Sequence, residues 1–205
     1  VSFCEAQCFS RFGAAAVKSI AQKSREHSIT RPLPQSLRDK LAWLANAVEI
    51  MRPKVIDCRN TQCPIVLFTD GAAESSDPDL ILYDVVSVGG VAIDTDTGSV
   101  SHFGSMVPKK LVDEWKSGGI QQVITQAEVY PVLLAKSAFG QDWVGRRVIS
   151  FIDNDAARYS LINANSSSET VGDLLMINCV LDSTHDLSCW YERVASDSNI
   201  ADAPS

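Results

Sequence analysis

The sequence reads as an α/β protein built on a mixed β-sheet with helices on its faces. Three observations carry that expectation. A continuous apolar run, Ile65–Phe68, has the length and bounds of a buried strand. Two β-rich runs, VVSVGGVAID (85–94) and SVSHFGSMV (99–107), are joined by TDTG, which reads as a hairpin turn. Beyond them, helical stretches alternate with the strand-like runs RVISFID (147–153) and DLSCWYERVA (186–195). Three antiparallel strands followed by α/β alternation give a mixed sheet covered by helices.

Taken in order, residues 1–60 differ in character from the rest. EAQCFSRFGAAAVKSIAQKSREH (5–27) places Phe9, Phe12, Ala16 and Ile20 at helical spacing, and RPLPQ breaks the pattern. QSLRDKLAWLANAVEIM (35–51) predicts a second amphipathic helix, with Leu37, Leu41, Leu44 and Val48 on one side and Ser36 as its N-cap. These helices form an N-terminal appendage or connection over 1–60. A linker around RPKVIDCRNTQC leads to a domain at 64–205. There the strand at 65–69 precedes a polar, acidic loop, GAAESSDPDLILYD, and then the hairpin. A long helical stretch follows over roughly 109–138, interrupted near SGG. NDAARYSLINA and SETVGDLLMINCVLDST read as helices between the last two strands.

Composition narrows the class. The chain has 205 residues, 45% hydrophobic and 21% charged, as suits a globular protein. No apolar run reaches the roughly 18 residues that a membrane span needs. A net charge of -7 and a pI near 4.9 argue against a simple electrostatic nucleic-acid binder. They leave open an acidic site that meets nucleic acid through metal ions. The sequence begins at Val1 with no apolar leader, so an intracellular piece of a longer or processed chain is expected. Of the six cysteines, Cys4, Cys8, Cys58 and Cys63 could supply a four-thiolate zinc site, although their spacings are not the usual pairs.

Four acids stand out. Asp70 and Asp153 end two of the expected strands, where α/β sheets gather ligands. Glu128 lies among Ile124, Ala127, Pro131, Leu134 and Ala135 on an apolar helix face, where a lone charge costs several kcal/mol. Asp202 follows the last strand. Each has a plain alternative: a turn residue at Asp70, a solvated helix acid at Glu128, a helix start at Asp153, a surface acid at Asp202. Asn154 and Asp155 are equally good N-caps, so capping does not require Asp153. Together, four such carboxylates suit two Mg²⁺ ions about 4 Å apart, the arrangement used for phosphodiester hydrolysis.

The order of these acids, TDG on the first strand, Glu in the long helix, D-N after the fourth strand and AD after the fifth, resembles the ribonuclease H family. Successive acids stand 58, 25 and 49 residues apart. More narrowly, FTDGA, QAEVYPVLLA, FIDNDAA and SNIADAPS resemble the ribonuclease H domains of retroelement reverse transcriptases. The likeness covers about residues 64–205 well and 1–60 loosely, as a connection. It implies a five-stranded sheet flanked by helices and a metal-dependent endonuclease that cuts the RNA strand of RNA/DNA hybrids. Asp70, Glu128, Asp153 and Asp202 would be catalytic and hold two Mg²⁺, with Mn²⁺ as substitute. Asn154 and Arg158 are candidate substrate contacts, and Lys109, Lys110, Arg146 and Arg147 candidate phosphate contacts. The polymerase part of a parent polyprotein would be a partner. Three features depart from the pattern: the loop before the last acid, VASDSN, lacks the histidine that many members carry, His185 lying before the last strand instead; the sequence stops three residues past Asp202, short of the helix that usually holds this acid; and there is no clear basic groove. A second reading is a retroelement-derived domain reused as a non-catalytic scaffold subunit of a larger assembly, which the acidic pI and the amphipathic leading helices suit. A third is a transposase or resolvase nuclease of the same superfold.

Overall fold

The computed structural model describes residues 32–50, 62–75, 83–117 and 122–205. Along the chain come α1 (Gln35–Ile50), β1 (Ile65–Glu74), β2 (Val85–Asp94), β3 (Val100–Met106), α2 (Lys109–Trp115), α3 (Ile124–Phe139), β4 (Arg147–Ile152), α4 (Asp155–Asn163), α5 (Glu169–Thr184) and β5 (Ser188–Arg193). A short 3₁₀ turn at Ser196–Ser198 follows. The helix expected at 5–27, most of the linker, the SGG interruption and Cys4, Cys8 and Cys58 lie outside the described residues. Cys63 is exposed with a free thiol.

The sheet has five strands in the order β3-β2-β1-β4-β5. β1 pairs antiparallel with β2, and β2 with β3; β1 and β4 run parallel, as do β4 and β5. This is the expected mixed sheet, with the first strand central. The period-2 pattern of β1 explains its seat: Ile65, Leu67 and Thr69 are fully buried, while Val66, Phe68 and Asp70 are half-buried on the other face.

One expectation is corrected. β1 does not stop at Asp70 but runs on to Glu74, paired with β2 throughout. Its pairing with β4 ends earlier, at Phe68↔Phe151. Asp70 therefore sits mid-strand, just past the fork where β1 loses its parallel neighbour. Gly71, Ala72 and Ala73 have little intrinsic strand preference, and the β2 ladder holds them extended.

α3 packs on β1 and β2, α4 on β4 and β5, and α5 on α3, around a core that includes Val88, Val112, Val132, Leu161, Leu175 and Tyr191. A second cluster joins Ile65, Leu67, Trp143, Val148 and Leu187. Each fully buried side chain of this kind contributes about 1.5–3 kcal/mol. Across the fork, Phe68 and Phe151 stack with ring centroids 4.9 Å apart. Trp115 and Trp143 are buried in the core, whereas Trp190 on the β5 edge is 64% exposed.

Two ionic ties complete the frame. Arg146, expected as a phosphate contact, is instead clamped at the far end of the sheet from Asp70, 2.9 Å from Asp94 and 3.0 Å from Asp96. A hydrogen bond from its guanidinium to the Cys63 carbonyl (2.8 Å) fastens the entry to β1. Lys136 of α3, fully buried, donates to Asp182 and Asn178 of α5 and to Tyr191 of β5.

Candidate metal centre

The site is assembled at the fork. Asp70 comes from β1, and Asp153 follows the end of β4. Parallel pairing of the two strands sets these residues on adjacent chains, pointing out of the same end of the sheet. Gly71 brings in the third element. A Cβ there would lie 2.2 Å from the Ala127 carbonyl oxygen, so only glycine lets the α3 backbone press this closely on β1. That contact delivers the next residue, Glu128, to the strand end.

Asp202 arrives by a different route. It lies in the turn after the 3₁₀ segment, with its backbone N–H donating to the Asn199 carbonyl (3.2 Å). The chain beyond it lies over a glycine row, since Asp70 pairs with Gly89 and Gly89 with Gly104. A Cβ on Gly89 would meet the Ser205 nitrogen at 2.5 Å, and one on Gly104 the Pro204 carbonyl oxygen at 2.0 Å. The bare backbone of β2 and β3 thus forms the floor on which residues 204–205 rest.

Ligand oxygens of Asp70, Asp153 and Asp202 all lie within 4.8 Å of one another. Glu128, only 5% exposed, lies in the same field. Burial pushes its carboxyl up to about 9, and the charges of Asp153, Asp70 and Asp202 act in the same direction. Burial likewise raises Asp70. A hydrogen bond with Ser205 opposes that shift, and the charges of Asp153 and Asp202 add to it. Two buried oxygens, Glu128 Oε2 and Asp153 Oδ1, have no hydrogen-bond partner. Like charges brought together with orphaned buried oxygens are costly for a protein alone. The donor set is all carboxylate oxygen, the hard set that Mg²⁺, Mn²⁺ and Ca²⁺ take. The residues therefore fit a divalent cation.

The remaining expected site residues fall as follows. Asn154 is the N-cap of α4, its Oδ1 accepting from the Ala157 N–H at 3.0 Å. Arg158 is paired with Asp155 at 2.9 Å and stacks on Tyr159. His185 is buried beside Gly140, away from the acids. The structure adds residues that sequence reading passed over. Arg193, at the end of β5, reaches Asp155 at 3.2 Å, so two arginines share one carboxylate next to Asp153. A polar cleft of about 600 Å³ opens between α3, α4 and the segment before α5, and none of the four acids lines it. It is lined by Thr125 and Gln126 from the first turn of α3, Tyr159 and Asn163 from α4, and Ser166 and Ser168 before α5. For the glycine floor, the GG inside β2 is a signal that sequence reading could have used, since glycine within a strand marks close approach of another backbone.

No family model matches the sequence, and no curated relative matches it. Solved structures do. RNase H1 from the halophilic archaeon Halobacterium salinarum aligns with a TM-score of 0.52 at 16% identity, over 69% of this chain and 94% of that one. The N-terminal RNase H domain of a Mycobacterium tuberculosis protein gives 0.53 at 13% identity, over 69% and 90%. An RNase H1 isolated from compost gives 0.50 at 15% identity, over 68% and 91%. With its β3-β2-β1-β4-β5 sheet and flanking helices, this chain has the ribonuclease H fold.

Proposed function

We propose that this chain is a divalent-metal-dependent endonuclease that hydrolyses the RNA strand of RNA/DNA hybrids, the ribonuclease H domain of a retroelement reverse transcriptase. One observation carries the reading: four carboxylates from four separate segments converge on the sheet fork, and two of their buried oxygens are unsatisfied. The residues to hold the ions are Asp70, Glu128, Asp153 and Asp202. When bound, a pair of divalent cations supplies an activated water and neutralises charge on the leaving 3′-oxygen. Mg²⁺ is the proposed physiological ion, with Mn²⁺ as its substitute.

The chain's own residues supply placement. Gly71 and the glycine row set the distances among the acids before any ligand binds, so little reorganisation is left for the reaction. The cleft between α3, α4 and the start of α5 offers amides and hydroxyls and no charged side chain. Such groups both donate and accept, which suits a ribose 2′-hydroxyl and phosphate oxygens. The 2′-hydroxyl is the group that separates RNA from DNA, so this lining supports hybrid selectivity. Gln126, already bonded to Thr170 at 2.9 Å, is fixed in orientation there. Arg158 and Arg193 are the phosphate contacts beside Asp153, partly offsetting the acidic surface. The retroelement origin rests on FTDGA, QAEVYPVLLA, FIDNDAA and SNIADAPS, and the polymerase part of such a polyprotein is the proposed partner.

The test is cleavage of a labelled RNA/DNA hybrid with Mg²⁺ or Mn²⁺, with Asp153→Asn alongside. Cutting of the RNA strand, lost in the variant, is expected. Absence of cleavage under either ion would refute the enzyme and favour the scaffold role.

A further inference from the structure

We propose that Asn199 is the positioning residue that sets Asp202 against Asp70 before any cation arrives; this rests on the metal-site reading above. The difficulty it resolves is physical. Asp202 is exposed and sits in a turn, yet its carboxylate stays within 4.8 Å of two others that repel it. Nothing about an exposed turn holds a charge there.

Asn199 does. Its side chain is 95% withdrawn from solvent (5% exposed). Its Nδ2 donates to the Thr69 carbonyl at 3.1 Å and reaches Asp70 Oδ1 at 3.5 Å. Its Oδ1 accepts from the Ala201 N–H at 3.2 Å, and its own carbonyl accepts from the Asp202 N–H at 3.2 Å. Its N–H in turn donates to the Ser196 carbonyl at 3.1 Å. Thr69 is the first β1 residue past the end of pairing with β4. Asn199 thus takes hold of β1 where the parallel ladder stops, and fastens the turn to it at both ends. Ala201, fully buried, seats the same turn from the other side. The chemistry needs a donor and an acceptor on one short planar arm. Aspartate lacks the donor, alanine lacks both, and the charge of aspartate would face Asp70.

A residue that holds a metal ligand from behind usually matters 10–100-fold to affinity, roughly. Asn199→Ala is therefore expected to weaken Mn²⁺ binding, measured by direct titration of the protein as it stands, by about 10-fold or more. Hybrid cleavage should need correspondingly more metal, with kcat at saturating metal and KM for hybrid changed little. Asn178→Ala, which strips a hydrogen bond from the distant Lys136 cluster, controls for lost stability and should leave Mn²⁺ affinity unchanged. Equal Mn²⁺ affinity in wild type and Asn199→Ala would overturn the proposal, as would an equal loss in Asn178→Ala. A second measurement needs no variant: in the metal-free wild type, the Ala201 and Asp202 amides should be protected from hydrogen exchange. Free exchange there would overturn the proposal even if Asn199→Ala does not fold. Protected amides in a wild type that binds no Mn²⁺ would instead show that the metal-site reading had failed, and the proposal with it.

Discussion

Helix α3 buries two charged side chains about two turns apart, and they live under opposite regimes. Lys136, fully buried, is answered on every side: Asp182 carries the opposite charge, and Asn178 and Tyr191 supply oxygens at 2.6 and 3.1 Å. Burial alone would lower its pKa, but Asp182, then Cys189 and Tyr191, hold it well above the usual lysine range. Glu128, 5% exposed, faces only its own sign, and its carboxyl is pushed up to about 9. The first cluster ties α3 to α5 and β5 and asks nothing from outside. The second is left electrically incomplete by the fold. Where one helix can satisfy a buried charge and does so at Lys136, the open account at Glu128 marks the place where a ligand is expected.

The contrast can be broken from either side. Lys136→Met should have the largest effect, costing about 3–5 kcal/mol because half-buried Asp182 is left without its counter-charge; urea unfolding reads this, and Mn²⁺ binding per folded molecule should not change. Gly71→Ala comes next. Its Cβ would lie 2.2 Å from a backbone oxygen, so α3 must shift, at about 1–3 kcal/mol. Unlike the lysine change it should also weaken Mn²⁺ binding, because Glu128 moves with the helix.

Glu128→Gln and Asp70→Asn should do the reverse of Lys136→Met. Asp70→Asn removes a repelled charge, and Glu128→Gln supplies the neutral side chain that Glu128 reaches only by taking up a proton, so the metal-free protein should gain ~0.5–2 kcal/mol near neutral pH, read by thermal or urea melting. A loss of stability would mean that the acid is a structural hydrogen-bonder. The last test is in pH. An acid whose folded pKa is raised binds more protons folded than unfolded, so stability falls as pH rises through that interval. For Glu128 the window runs from 4.5 to about 9. Metal-free wild type should therefore lose stability between those values, and Glu128→Gln should flatten the slope. The Lys136 pair, raised above its ordinary 10.5, contributes fully below that value and only fades at higher pH, so it adds no slope in this window.

Much of the architecture was legible because hydrophobic period and turn chemistry agree in β1, the β2–β3 hairpin, β4 and α5. Three of the acids could be picked out because each interrupts an apolar pattern: Asp70 and Asp153 after buried runs, Glu128 on an apolar helix face; Asp202 had only its place after the last strand to mark it. The length of β1 was not legible, since GAAE reads as loop and only the β2 ladder makes it strand. Arg146 shows the same limit. Its partners Asp94 and Asp96 are remote in sequence and meet it only through the β1–β2 and β1–β4 pairings. Asn199 was quoted within SNIADAPS without a role, because its role is a hydrogen bond to a carbonyl 130 residues away. Gly89 carried a usable clue in the GG of β2, but what approaches it, and approaches Gly104 beside it, is set by tertiary packing.

The most direct measurement is calorimetric titration of Mn²⁺ into the metal-free protein at about pH 6 and about pH 8.5, with Asp153→Asn in parallel. Because Glu128 must shed a proton to act as a ligand, affinity should rise with pH and proton release should accompany binding, more at the lower pH. Asp153→Asn should bind far more weakly at both. Wild type that takes up no Mn²⁺, or binds it equally well with and without Asp153, would contradict the claim that the acids at the fork are kept unpaired for a cation.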